Sequence, residues 1–166
     1  MAKQAPIILS HWYHNIEGLQ ESSQKFYKSL VEAILQRKVP DIEISRILYK
    51  EGGVFSAKRE YLRVQRREHI FDICAAPFGN GFFFSWWLGE KISFFWVLIL
   101  MIPFIGIPMM NYFRPQTYYR HDTALMFQQS ISSAVHEFID GITKAKGLRS
   151  LSELEKKPIL SDFFKR

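Results

Sequence analysis

The chain has 166 residues, a length typical of one domain, and its 22 basic and 16 acidic residues give a formal net charge of +6. A content of 48% hydrophobic and 16% aromatic residues argues against an intrinsically disordered chain. Cys74 is the only cysteine, which excludes an intrachain disulfide and permits a reducing compartment.

Residues 1–15 form a predicted flexible N-terminus. The apolar patch Ile7–Leu9 is too short for the hydrophobic core of a secretory signal, so the residues that follow are expected to stay in the cytoplasm. His11 and His14 are three residues apart, but no cysteine or acidic residue lies near them with the spacing of metal ligands. We therefore expect neither a metal nor any other cofactor.

An amphipathic helix is predicted from Ile16 to about Arg37. Apolar residues recur there at helical spacing, namely Leu19, Phe26, Leu30, Ala33 and Ile34. Asn15 is the predicted N-cap, and Pro40 prevents the helix from continuing. Such a helix needs a surface for its apolar stripe to cover.

Four strands are predicted after this helix. Alternating apolar and polar residues mark the first segments, and the Asn80-Gly81 pair predicts a hairpin before the last one. The predicted strands are Asp41–Ser45, Glu60–Gln65, His69–Ala76 and Phe82–Leu88. The sequence therefore predicts an α+β fold with an N-terminal helix on a four-stranded antiparallel meander, as a cytoplasmic unit over residues 16–91. Since the last strand is apolar on both faces, its outer face is expected to meet lipid or a partner.

An uncharged run of 22 residues, Ile92–Phe113, lies between Lys91 and Arg114. As a helix it would extend about 33 Å, roughly the thickness of the hydrocarbon core of a bilayer. Proline and glycine interrupt its middle, so both a kinked membrane-dipping hairpin and a single spanning helix stay open. The predicted membrane-inserting residues are Phe94, Phe95, Trp96, Leu98, Leu100, Pro103, Phe104, Gly106 and Pro108. The predicted interface anchors are Trp86, Trp87, Lys91, Tyr112 and Arg114.

A second amphipathic helix is predicted within residues 114–166, a C-terminal segment expected to pack on the α+β unit. Its apolar stripe consists of Ala124, Phe127, Ile131, Ala134, Val135, Phe138, Ile142 and Ala145. His136 falls on the opposite, polar face and is expected to be solvated. The stretch Ser150–Glu153 resembles a capping box that opens a short helix, which Pro158 ends.

The sequence contains no recognisable catalytic motif, whether nucleophile elbow, zincin motif, phosphate-binding loop or dinucleotide fingerprint. His121 and Asp122 follow the apolar run, where they could act on lipid head groups, although Asp122 also suits a helix N-terminus. A basic stretch is interpreted as a contact surface for lipid head groups or a partner protein, with nucleic acid less expected. Its contact residues are Lys58, Arg59, Arg63, Arg66 and Arg67.

These patterns together predict a non-enzymatic, membrane-anchored scaffold, anchor or complex subunit that positions a cytoplasmic α+β body at the bilayer. Two alternatives stay open, namely an oligomerising effector that permeabilises or remodels membranes and a membrane-bound enzyme that acts on lipid head groups. The expected partners are the lipid bilayer and either another protein or further copies of the chain. The expected location is the cell membrane, with most of the chain on the cytoplasmic side.

Overall fold

Six antiparallel strands form one sheet in the computed structural model, which describes residues 6–50, 58–91, 98–99, 102, 106–113 and 117–161. The strands are β1 (Ile7–Glu17), β2 (Glu43–Lys50), β3 (Lys58–Arg66), β4 (His69–Phe78), β5 (Gly81–Glu90) and β6 (Ile159–Leu160). The described helices are α1 (Ser23–Gln36), the short α2 (Gly106–Phe113) and the long α3 (Tyr118–Ala145). The order of the strands in the sheet is β2-β3-β4-β5-β1-β6.

Strand β1 lies inside the sheet, between β5 and β6. It pairs with β5 from Ile7 to Glu17, with a bulge between Ile8 and Ser10. The predicted fold, an N-terminal helix on a four-stranded meander, is therefore wrong, because a strand precedes the first helix and the sheet has six strands. Part of the segment expected to be flexible, residues 1–15, thus lies in a strand. The bulge and the polar residues at inward positions hid the period of two that marks a strand.

Strands β2 to β5 are consecutive antiparallel hairpins, so the predicted meander forms one part of the larger sheet. The turn between β4 and β5 is at Gly79-Asn80, one residue before the predicted pair, because Phe78 pairs with Gly81. Gly79 has a φ of +61°, a backbone conformation that glycine adopts without steric cost. Gly81 is needed for a different reason: an added Cβ would lie 2.7 Å from the carbonyl oxygen of Ile16.

Helices α1 and α3 pack on the same face of the sheet, the helix face, and the core lies between them and the strands. The buried helix residues include Phe26, Leu30, Ile34, Phe127, Ile131 and Val135, and those of the sheet include Trp12, Phe71, Phe82, Phe84, Trp86 and Leu88. Burying one such side chain contributes about 1.5–3 kcal/mol, so this layer supplies much of the driving force for folding. Most of the apolar residues predicted to form stripes on the two helices face this core.

Tyr27 ties α1 to the sheet. Its hydroxyl accepts a hydrogen bond from the Ala75 N–H at 2.9 Å and donates one to the carbonyl oxygen of Glu60, also at 2.9 Å. Leu62 of β3 pairs with Ile73 of β4, and continuing this register by two residues would place Glu60 opposite Ala75. The tyrosine hydroxyl therefore takes the place of a ladder hydrogen bond where these two strands separate.

Both predicted caps are displaced. Ser22 is the N-cap of α1, since its hydroxyl accepts from the Lys25 N–H at 3.4 Å, whereas Asn15 lies in β1. A capping box does form near the C-terminus, but it joins Ser152 and Glu155. The Glu155 carboxylate accepts from the Ser152 N–H at 2.7 Å, and the serine hydroxyl accepts from the Glu155 N–H at 3.4 Å. This box opens a single turn over residues 153–156 rather than a helix.

His136 is buried, so the prediction that it is solvated is wrong. Its imidazole meets the indole of Trp12 edge-on, with 4.6 Å between the ring centroids. Burial, followed by the charge of Lys156, lowers the pKa of His136 to about 4. The imidazole is therefore neutral at pH 7.

None of the described helices has the length and apolar character needed to cross a bilayer. Helix α2 has 8 residues and rises about 12 Å, against roughly 30 Å of hydrocarbon core. The predicted central membrane-inserting helix and the membrane-anchored scaffold built on it are therefore not supported. The two alternative functions depend on the same insertion and lose the same support. Residues 92–97, 100–101 and 103–105 of the predicted insertion lie outside the described residues.

Candidate functional site

A cavity of about 340 Å³ lies on the outer face of the sheet, which is the face opposite α1 and α3. Side chains alternate between the two faces along each strand, so residues from five different strands meet here. The described residues that line the outer-face cavity are Pro6, Ile8, Tyr49, Tyr61, Ile70, Asp72, Trp87 and Gly89. The lining is aromatic and aliphatic except for Asp72, the one formally charged side chain in this set.

A buried ion pair forms the polar side of the cavity. Arg63 and Asp72 are directly opposite each other on β3 and β4. The guanidinium donates from Nε to Oδ1 at 2.7 Å and from a terminal nitrogen to Oδ2 at 2.6 Å. The bond to Asp72 raises the pKa of Arg63. The two side chains are only 10% and 7% exposed, so water screens this pair weakly and the pair is held as a unit.

Tyr49 completes the polar group. Its hydroxyl accepts a hydrogen bond from Arg63 at 2.5 Å and donates one to Oδ2 of Asp72 at 3.2 Å. Burial, followed by the charge of Asp72, raises the pKa of Tyr49, so its phenol keeps its proton at pH 7. Among the described residues Oδ2 has two donors and Oδ1 has one, whereas each carboxylate oxygen accepts about two hydrogen bonds. Oδ1 therefore has the capacity to accept one further hydrogen bond.

Rigid side chains form the walls. The two tyrosine rings that line the cavity meet edge to face, with 5.3 Å between their centroids. The indole of Trp87 stacks on His11, with 4.6 Å between centroids and 13° between planes, so one indole face is already covered. Pro6 packs over Gly89, where an added Cβ would lie 2.9 Å from the proline ring. Rings and a proline have few rotatable bonds, so the shape of the cavity is largely preformed.

The chemistry of the cavity favours an uncharged ligand with a flat apolar body. Because Arg63 and Asp72 neutralise each other, an added charge would lose its hydration and gain little attraction in return. Aromatic walls gain from burying apolar area and orient a ring by stacking or edge contacts. One hydrogen-bond donor on the ligand could meet Oδ1 of Asp72.

The five basic residues predicted to contact a head group or a partner do not form one surface. Arg63 is buried in the ion pair beside the cavity. Lys58 and Arg59 lie at the start of β3, whereas Arg66 and Arg67 lie at its end and in the following turn. The two pairs are about 26 Å apart at the usual rise of a strand. Contact with lipid or a partner stays a prediction for these four residues.

The predicted interface anchors lie in different environments. Trp86 is fully buried on the helix face and is unavailable to an interface. Trp87 points to the outer face and lines the cavity. Tyr112, near the end of α2, and Lys91, just after β5, are exposed. Arg114 lies outside the described residues.

The structure describes three of the predicted membrane-inserting residues. Leu98 is exposed, and Gly106 and Pro108 lie in the first turn of α2. The remaining ones lie outside the described residues and are Phe94, Phe95, Trp96, Leu100, Pro103 and Phe104. His121 and Asp122 lie one turn into α3, whose N-cap is Thr117.

Sequence reasoning missed Tyr49, Tyr61 and Asp72. One signal was available, because a carboxylate within the apolar stretch of β4 needs a buried partner. The identity of that partner depended on the register between β3 and β4, and the cavity depended on the order of five strands.

Fold and cavity together define an α+β protein whose antiparallel sheet carries helices on one face and a small-molecule-sized cavity on the other. No three His, Cys, Asp or Glu side chains within the described part of the chain are grouped so as to hold a metal ion. Comparisons with protein-family models, with curated proteins and with solved structures find no match for this chain.

Proposed function

We propose that the chain is a binding module for a small, uncharged ligand with a flat apolar body, held in the outer-face cavity. One observation carries this proposal: a volume of about 340 Å³ is walled by aromatic rings around a single carboxylate whose charge Arg63 compensates. Concave, mostly apolar sites with few polar groups and volumes of roughly 300–1,000 Å³ are typical of small-molecule binding.

The lining also suggests how the ligand lies. Its ring would contact the face of Trp87 that His11 leaves uncovered, with Ile8 and Ile70 along its edge. A hydroxyl or N–H on the ligand would donate to Oδ1 of Asp72. Hydrogen bonds to charged groups contribute about 1.5–3 kcal/mol, so this one contact would select among ligands of the same shape.

A matched pair of probes tests this arrangement. The compounds 2-naphthol and 2-methoxynaphthalene share one ring system, but only the first has a hydrogen-bond donor. Isothermal titration calorimetry with the full chain is expected to show binding of both, with the naphthol tighter by about tenfold or more. If neither compound binds, and a wider panel of neutral ring compounds also fails, the proposed function is refuted.

Variants at neighbouring positions locate the binding. Ile8 lines the cavity, whereas the side chain of Ile7 points to the opposite face of the same strand. Ile8→Trp is expected to fill the cavity and abolish naphthol binding, while Ile7→Trp keeps it. Circular dichroism checks the fold, and both variants are expected to give the spectrum of the parent. Equal binding by the two variants would place the ligand elsewhere.

A further inference from the structure

A second concave surface, the basic groove, lies between the C-terminal end of α1, the end of β3 and the N-terminal half of α3, with a volume of about 340 Å³. Its described lining shares no residue with the outer-face cavity. The basic groove is therefore independent of the proposed small-molecule site, and each can be tested without the other.

One wall of the basic groove is an apolar stripe on α3. Tyr119 and Met126 line it with 73% and 70% of their surface exposed, which is unusual for large apolar side chains. Thr123 lies between these two residues, and Ser130 lies one turn after Met126. The Thr123 hydroxyl donates to the carbonyl oxygen of Tyr119 at 2.7 Å, and the Ser130 hydroxyl donates to that of Met126 at 2.8 Å. These hydroxyl protons are thereby used within the helix, so the wall presents mainly apolar surface.

The rim of the basic groove carries positive charge. Arg37, Lys38 and Arg66 line it, and no acidic side chain belongs to its described lining. A carboxylate oxygen of Glu137 lies 2.5 Å from a terminal guanidinium nitrogen of Arg37 and compensates its charge. Arg66 donates from Nε to the carbonyl oxygen of Pro40 at 3.0 Å, and that neutral acceptor leaves the guanidinium charge in place. An exposed apolar wall beside a basic rim is complementary to apolar side chains flanked by carboxylates.

We propose that the basic groove docks an acidic segment of a partner protein that carries apolar side chains between its carboxylates. The carboxylates meet Lys38 and Arg66, and an apolar side chain covers Met126, whose flexible thioether adapts to irregular partners. Charge complementarity supplies specificity, and burial of the apolar wall supplies affinity. Nucleic acid fits less well, because a phosphate backbone is bound by many cations and this rim offers three, one of them already paired.

Fluorescence anisotropy with the full chain tests whether the basic groove binds an acidic peptide. Two short labelled peptides of equal length carry the same leucines, flanked in one by glutamates and in the other by lysines. The glutamate peptide is expected to bind and the lysine peptide to fail. The double variant Lys38→Glu/Arg66→Glu is expected to bind the glutamate peptide with an affinity about tenfold lower or more, and to bind the lysine peptide instead. Met126→Ala is also expected to lower the affinity for the glutamate peptide.

Matched controls separate the groove from net charge. Lys58→Glu/Arg59→Glu makes the same change in charge at the opposite end of β3 and is expected to alter affinity by less than about twofold. Leu154→Ala removes an exposed apolar side chain outside the groove and serves as the control for Met126→Ala.

The proposal fails if both double variants lower the affinity for the glutamate peptide by the same factor. It also fails if that peptide does not bind, or if single-stranded RNA binds instead and Lys38→Glu/Arg66→Glu abolishes RNA binding. Because Arg66 also holds the carbonyl of Pro40, Lys38→Glu alone replaces the double variant if the latter does not fold.

Discussion

Replacing Asp72 by alanine is expected to destabilise the protein strongly. The change leaves the guanidinium of Arg63, only 10% exposed, without its carboxylate, and it removes two hydrogen bonds of 2.6 and 2.7 Å together with the contact to Tyr49. Breaking one side of a buried ion pair costs about 3–5 kcal/mol, because the remaining charge cannot regain its hydration. For a chain of this length each kcal/mol lowers the Tm by about 2–4 °C, so thermal melts should show a fall of about 6–20 °C.

Two further variants decide whether the unpaired charge is the cause. Arg63→Met combined with Asp72→Leu removes both charges and is expected to return the Tm to within about 4 °C of the parent, or above it. Glu60→Ala breaks the more exposed Arg46–Glu60 pair at 3.2 Å, and its expected cost is below about 1 kcal/mol. Equal losses for Asp72→Ala and Glu60→Ala, or no recovery in the double variant, would refute this reasoning.

Alanine at two glycine positions should change the free energy of unfolding in opposite directions. Gly81→Ala is expected to lower it by about 1–3 kcal/mol, because the new Cβ would overlap the Ile16 carbonyl oxygen. Gly141→Ala, in open space on α3, is expected to raise it by up to about 1 kcal/mol. Urea unfolding measures both, and effects of the same sign would contradict the prediction. His136 has a pKa of about 4 when folded against about 6.5 when unfolded, so the unfolded state takes up the proton first as the pH falls. The free energy of unfolding should therefore drop by up to about 3 kcal/mol between pH 6.5 and pH 4. His136→Phe should lose that part of the pH dependence, and an unchanged pH profile would exclude His136 as its source.

The elements predicted correctly carry their signal within a short stretch of chain. The apolar stripe of α3 repeats along the helix itself, and the alternation in β3 can be read from nine consecutive residues. Strand β1 was missed because its bulge shifts the alternation and because Ser10, an inward residue, is polar and finds its partner in Gln128 at 2.6 Å, 118 positions away. The location at the cell membrane stays a prediction.

The sequence by itself determined the charge balance, the apolar faces of two helices and four of the strands, because periodicity reports which side of an element avoids water. Only the tertiary structure decided that β1 lies between β5 and β6, that Arg63 meets Asp72, and that residues of five strands line one cavity. The physical reason is that partners across a sheet are set by the hydrogen-bond register between strands, which the pattern within either strand does not specify. A one-residue shift in register would exchange the two faces of a strand while leaving its local pattern unchanged.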